Sequence, residues 1–174
     1  MTDCCCFLRL YPNEQAVLTS VTGRELVDGP KTCSFFWCCF YSNVAKKTMV
    51  ALKQNEQILI QHEQDTKKNR YVFGPKLVKL EDPWEIYGSS GVEKCEILDQ
   101  DDYIIVRSMD GNKNVVKGPY VWPKKYGDVV EKRNQSIQVP VNHYMIVNDT
   151  NNTDFPVQHI AGPVKYYLSA FQTV

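Results

Sequence analysis

Residues 101–131 read DDYIIVRSMDGNKNVVKGPYVWPKKYGDVVE, and this stretch decides the fold. Tyr103-Ile-Ile-Val106 is a run of β-branched and aromatic residues, the composition that suits a pleated, half-buried strand. Asp110-Gly111 follows in a polar stretch, a strong hairpin signal, and Val115-Val116 supplies a returning strand. Gly118-Pro119 then ends that strand. Glycine accepts the positive φ of a sharp bend, while proline fixes its own φ and removes a ladder donor. An aromatic segment, Tyr120-Val121-Trp122, leaves the corner in a new direction.

Working outward, the same order of signals returns along the chain. Gly-Pro occurs at Gly29-Pro30, Gly74-Pro75, Gly118-Pro119 and Gly162-Pro163, at intervals of 45, 44 and 44 residues. Upstream of each lies a polar pair leading into an apolar run: Asn13-Glu14 before Gln15-Ala-Val-Leu18, Asn55-Glu56 before Gln57-Ile-Leu-Ile60, Asp101-Asp102 before Tyr103, and Asn142-His143 before Tyr144-Met-Ile-Val147. Turn-rich stretches separate the two signatures: Thr22-Gly23, residues 65–69, 109–114 and 148–154. A fixed period is the mark of a repeat architecture. The spacing predicts an all-β tandem array of about four short antiparallel units with Gly-Pro corners: residues 1–50, 51–98, 99–139 and a truncated 140–174. Helical periodicity is scarce, and only residues 44–57 leave room for a turn or two.

The segment 101–131, and after it residues 142–167, resembles the shell repeats of the major vault protein. In that family short antiparallel β domains are strung along the wall of a hollow particle, so the resemblance implies a structural protein. Gly-Pro corners also give a weaker similarity to stomatin-like membrane domains.

Composition narrows the function. Hydrophobic residues are 43% and charged residues 23%, a globular balance. Twenty basic residues cancel twenty acidic ones, so no electrostatic footprint for nucleic acid exists and little repulsion keeps copies apart. The apolar run Phe35-Phe36-Trp37-Cys38-Cys39-Phe40-Tyr41 falls far short of the ~20 residues of a membrane span. The N-terminal residues show no secretory pattern, and Thr2 excludes myristoylation of a glycine. A cytoplasmic location is expected, and the sequons at Asn134, Asn148 and Asn151 read as turn residues.

Seven cysteines, in a triplet (Cys4, Cys5, Cys6), a doublet (Cys38, Cys39) and singly (Cys33, Cys95), form no disulfide framework. Cys33, Cys38, Cys39 and Cys95 suit small core positions. The triplet beside Phe7 is a candidate for S-acylation, where two or three chains hold a protein to a membrane better than one. The triplet also admits a zinc or oxidative crosslink site.

No constellation nominates a catalyst. His62, His143 and His159 form no local metal pair. Gly88-Ser-Ser-Gly91 is not a nucleophile elbow and reads as the loop between the second and third units. Asp99, Asp101, Asp102, Asp110, Asn112 and Asn114 have the hard oxygens Ca²⁺ prefers, although turn and surface roles explain them more simply. No cofactor and no metal are expected. Phe35, Phe36 and Trp37 form either the core of the first unit or an exposed interface. At the other end, residues 164–174 read as one strand, with Lys165, Tyr167, Ser169 and Phe171 on one face and Val164, Tyr166, Leu168 and Ala170 on the other. Tyr166, Tyr167, Leu168 and Phe171 are therefore the second candidate interface. The sequence points to a self-assembling scaffold whose partners are its own copies. A membrane-associated module anchored by acylated cysteines is the alternative, and an enzyme comes third.

Overall fold

The structure is a computed structural model describing residues 8–33 and 40–174. The first repeat contains β1 (Leu8–Leu10), β2 (Glu14–Ser20), β3 (Gly23–Asp28), β4 (Lys31–Cys33) and β5 (Asn43–Thr48). The second contains β6 (Val50–Leu52), β7 (Glu56–His62), β8 (Arg70–Phe73), β9 (Lys76–Val78) and β10 (Glu85–Lys94). The third contains β11 (Glu96–Leu98), β12 (Asp102–Arg107), β13 (Lys113–Lys117), β14 (Tyr120–Trp122) and β15 (Val129–Gln135). The fourth contains β16 (Ile137–Val139), β17 (Tyr144–Asp149), β18 (Val157–Ala161), β19 (Val164–Tyr166) and β20 (Gln172–Thr173). The fold is all-β.

Each repeat holds two antiparallel ladders. The three-stranded sheets run β3-β2-β5, β8-β7-β10, β13-β12-β15 and β18-β17-β20. The lead strand of each repeat pairs instead with the strand after the Gly-Pro corner: β1 with β4, β6 with β9, β11 with β14, β16 with β19. The corner thus carries the chain from one ladder to the other. Pairing also joins Glu96–Leu98 and Ile137–Val139 to the repeats that follow them, ahead of the sequence boundaries at 99 and 140. The chain divides into two compact halves, Met1–Lys94 and Cys95–Val174.

The four corners are equivalent atom for atom. The amide of Gly29 donates to Glu14 O, Gly74 to Glu56 O, Gly118 to Asp102 O and Gly162 to His143 O, each at 2.9 Å. A tight turn closes just upstream in every repeat: Glu14 N to Tyr11 O, Glu56 N to Lys53 O, Asp102 N to Asp99 O, His143 N to Pro140 O, at 3.0–3.3 Å. A Cβ on the corner glycine would lie 2.0, 2.1, 1.8 and 2.0 Å from the carbonyl oxygens of Tyr11, Lys53, Asp99 and Pro140. Here the sequence reading needs correction. None of the four corner glycines has a positive φ; the glycine is required because another backbone crosses where a side chain would stand. All four Gly-Pro bonds are cis.

Side-chain alternation along the central strands builds the cores. Ala16 and Leu18, Ile58 and Ile60, Ile104 and Val106, Met145 and Val147 point inward at matching registers. The lead strands add Leu10, Leu52, Leu98 and Val139, and the strands after the second, third and fourth corners add Val78, Trp122 and Tyr166. Each fully buried aliphatic contributes about 1.5–3 kcal/mol. Three to five buried residues per cluster make a small core for some forty residues. Repeats of this size need neighbours.

Several further expectations change. Residues 44–57 form strands rather than a helical turn. Gly88–Gly91 is no inter-repeat loop: it lies inside β10, where the partner of Tyr87 is Ile60 and that of Val92 is Ile58. Four residues therefore bulge opposite Leu59, and Gly91 adopts φ +68°. Residues 164–174 are not one strand. β19 ends at Tyr166, a turn follows, and β20 pairs with Asn148 and Asp149 of β17. Asn134 and Asn148 lie in strands, whereas Asn151 lies in a turn with its amide on Asp149 Oδ1 at 3.0 Å. The Asp110-Gly111 hairpin is present as a five-residue loop, 108–112, with Gly111 at φ +81°.

Candidate functional site

Residues that alternate with the core positions form the outer face of each central strand: Gln15 and Val17, Gln57 and Leu59, Tyr103 and Ile105, Tyr144 and Ile146. How these faces are closed is the most informative chemistry in the molecule.

In the first half, the second repeat closes the face of the first. Gln15 is fully buried, and its amide nitrogen donates to Leu80 O (2.9 Å) and Asp28 Oδ1 (2.7 Å). Leu80 N returns a bond to Gln15 Oε1 at 2.8 Å. A side-chain amide thereby substitutes for a strand partner, satisfying both backbone groups of a buried residue. Lys79 Nζ meets Asp28 Oδ2 at 2.9 Å, and Arg24 pairs with Glu63 while lying 4.3 Å over the Trp84 ring. Hydrogen bonds from Gln15, then Lys79, hold the Asp28 carboxyl below its ordinary range.

In the second half, the fourth repeat closes the face of the third by other means. Tyr167 meets Tyr103 edge-on at 5.6 Å, and Lys117 lies 4.5 Å over the Tyr167 ring. Lys165 Nζ bonds Asp101 Oδ1 at 2.6 Å and also donates to Gln100 O. The hydrogen bond to Asp101 raises the Lys165 pKa. The positions correspond: Lys79 and Tyr167 each follow the strand after the corner by one residue, and Asp28 and Lys117 each precede the corner glycine. An ion pair in one joint occupies the place of a cation–π contact in the other.

The fourth repeat presents the same face open. Tyr103 is 1% exposed and Ile105 4%, but at the same registers Tyr144 is 67% exposed and Ile146 43%. Val157 is exposed on the neighbouring strand, and the His159 ring lies 5.9 Å from Tyr144.

The residues expected from sequence fall unevenly around this architecture. Cys4, Cys5, Cys6, Phe35, Phe36 and Trp37 lie outside the described residues, as do Cys38 and Cys39. Tyr166 and Leu168 pack onto the core of their own repeat, Tyr167 belongs to the joint just described, and Phe171 is exposed with Lys113 5.6 Å from its ring. Cys95 is buried, and burial pushes its thiol pKa up, the character of an inert core cysteine. Gln15 and Tyr103 were missed as site residues, although their shared place after each polar pair was visible.

Among the described residues, the carboxylates whose pKa values are shifted each face a fixed cation. Buried Glu85 bonds Arg70 and accepts from Glu81 N at 2.7 Å. Burial alone would raise its pKa, but Arg70 and the amides of Glu81 and Asp82 bring it below the ordinary value. Arg133 meets Asp102 at 2.6 Å and lowers that carboxyl, and Lys113 does the same for Glu131 at 2.8 Å. These carboxylates have their charge stabilised by fixed partners, the opposite of a proton-transfer group tuned toward neutrality. The buried His62 accepts at Nδ1 from Gln64 N and Asp65 N, fixing its loop. His143 Nδ1 lies 3.0 Å from Val141 O. Asp101 and Asp102 are engaged by Lys165 and Arg133, and no three His, Cys, Asp or Glu side chains gather as metal ligands among the described residues. No described helix is long and apolar enough to cross a membrane.

No family model matches the chain, and no curated protein matches its sequence.

Proposed function

We propose that this chain is a non-catalytic scaffold protein, built from vault-like β repeats, that assembles with copies of itself. The observation that carries the reading is the repeat-to-repeat joint. The same outer face is closed in both halves by the same segment of the following repeat, through chemistry as different as Gln15 with Leu80 and Tyr103 with Tyr167. A surface that tolerates such exchange is a stacking surface, and a stacking face left open is one that another copy can meet. The depressed carboxylates of Glu85, Asp102 and Glu131 suit the same view, because fixed partners hold their charge as part of the architecture.

Electron microscopy of the purified protein, beside its mass in solution, tests the reading. Ordered particles or filaments are expected. A monodisperse 20.0 kDa species at every concentration would overturn it. A second reading rests on the Cys4-Cys5-Cys6 triplet beside Phe7: a cytoplasmic protein held at a membrane by S-acylation. Replacing the three by serine should then release the protein from membranes without changing its stability, and an unmodified wild-type mass would remove the idea.

A further inference from the structure

We infer that the two joints are keyed against each other. Three positions, held by Gln15, Asp28 and Lys79 in the first half and by Tyr103, Lys117 and Tyr167 in the second, decide which cover closes which face. Each key is built the same way. The second residue of the central strand lies opposite the residue before the corner glycine, Gln15 opposite Asp28 and Tyr103 opposite Lys117. The third position is on the cover, one residue beyond the later repeat's post-corner strand. It reaches the face in both halves, as Lys79 Nζ on Asp28 Oδ2 at 2.9 Å and as a Tyr167 ring beneath Lys117 at 4.5 Å. The residue after it is leucine in both covers, Leu80 and Leu168. The keying refines the joint from which the scaffold reading is argued, but it acts within one chain and does not depend on assembly.

The two keys run in opposite senses. In the first joint the face carries the anion and the cover the cation; in the second the face carries the cation and the cover an aromatic ring. Exchanged covers would therefore fail on both sides. A tyrosine at the place of Lys79 sets its ring against the Asp28 carboxylate, and the negative face of the ring repels an anion. A lysine at the place of Tyr167 meets the like charge of Lys117. The first cover would also bring its leucine peptide to Tyr103, losing the glutamine amide that bonds Leu80 N and O at 2.8 and 2.9 Å. The flanking pair agrees: Lys165 bonds Asp101 in the second joint, where the same registers of the first joint hold Leu77 and Asn13. Specificity is a difference of affinities, secured as much by what the wrong partner leaves repelled or unpaired as by what the right one gains. The first face thus fits a cover that brings a cation and then a peptide group; the second fits a cover that brings a ring.

The test exchanges key residues in the full chain and follows each half through urea, with limited proteolysis assigning each transition to its half. Tyr167→Lys should lower the midpoint of the second half. Adding Lys117→Asp should restore most of that loss, because the pair then reproduces Lys79 on Asp28. Adding Tyr103→Gln to both should restore more, since its amide can bond the peptide of Leu168 as Gln15 bonds that of Leu80. In the first half, Lys79→Tyr should lower the midpoint and Asp28→Lys should recover part of it by placing a cation over the new ring. Losses that simply add in the combined variants would overturn the keying, because the positions would then act independently. A Tyr167→Lys chain as stable as wild type would overturn it as well. If a single exchange unfolds its half, refolding in the combined variant supports the keying and continued unfolding overturns it. Sedimentation of the wild type reads assembly separately: a monomer with keyed joints would remove the scaffold reading alone, and assemblies with additive losses would remove the keying alone.

Discussion

The two halves join their repeats at the same backbone positions with unlike side chains. In the first half a buried glutamine completes the hydrogen bonding of Leu80 and an ion pair flanks it; in the second, two tyrosines and two lysines close the same gap. The difference separates what the architecture requires from what it tolerates. Required is the corner, where the glycine amide bonds and the carbonyl crossings recur in every repeat. Tolerated is any pair of groups that excludes water from the outer face without orphaning a backbone donor.

The largest effect should come from the shared feature. Gly29→Ala and Gly118→Ala each force a Cβ to within 2.0 and 1.8 Å of a carbonyl oxygen. Neither contact can relax without opening the turn that both ladders depend on, so each should cost more than about 4 kcal/mol, in the exceptional range for a single substitution. Limited proteolysis should show the affected half cut and the other protected. Equal tolerance of alanine at either corner would mean that the crossing is not what selects glycine.

The joints themselves should differ next. Gln15→Leu keeps the volume but leaves Leu80 N and O unpaired in a buried place, at about 1–3 kcal/mol for each group. Tyr103→Leu gives up an edge-on aromatic pair, worth about 0.5–1.5 kcal/mol beyond its area, and orphans no backbone group. Urea titration should show the first half losing clearly more than the second. If the two substitutions cost the same, the polar joint has gained no brittleness from its hydrogen bonds.

Acid should act on the first half through one buried group. The folded pKa of Glu85 lies below its value of 4.5 in an unfolded chain, so its contribution is complete above that value and disappears as pH falls through the folded pKa. Because Glu85 is buried beside Arg70, the first half should lose stability below about pH 4.5 along a slope that Glu85→Gln removes. An unchanged slope in that variant would assign the acid sensitivity to Asp28 or other carboxylates.

Sequence made the corners, the central strands and the Asp110-Gly111 hairpin legible, because each has a local signal: a dipeptide, a β-branched run, a turn pair. The lead strands β1, β6, β11 and β16 had none, since three residues carry no usable alternation. The third strand of each sheet was hidden for a different reason. Glu131-Lys132-Arg133 in β15, like Lys46-Lys47 in β5, is polar along its length, and pairing rather than burial holds it in place. The bulge at Gly88–Gly91 looked like a linker because glycine and serine mark both. The joints were harder to read: Gln15 and Tyr103 share a visible register after the polar pair but no chemistry, so the register alone did not mark them as contacts.

The smallest expected effect tests whether the exchanged contacts are physically distinct. Lys79–Asp28 is an exposed ion pair, 2.9 Å long, attracting across water and counter-ions. At ~1 M salt the Debye length is ~3 Å, so most of that attraction is screened. Lys117 over the Tyr167 ring combines a weaker charge–quadrupole attraction with contact between its methylene stem and the ring, together about 0.5–1 kcal/mol at an exposed site. Stem contact survives salt. Lys79→Met should therefore lower the stability of the first half at low salt and lose its effect near 1 M. Lys117→Met, which retains the stem and removes only the charge, should change the second half by no more than about 0.5 kcal/mol at either salt concentration. Denaturant titrations of both variants at two ionic strengths measure the contrast. A salt-sensitive Lys117→Met would mean that its amine acts on Asp101 or another carboxylate rather than on the ring, and the two joints would then share electrostatics after all.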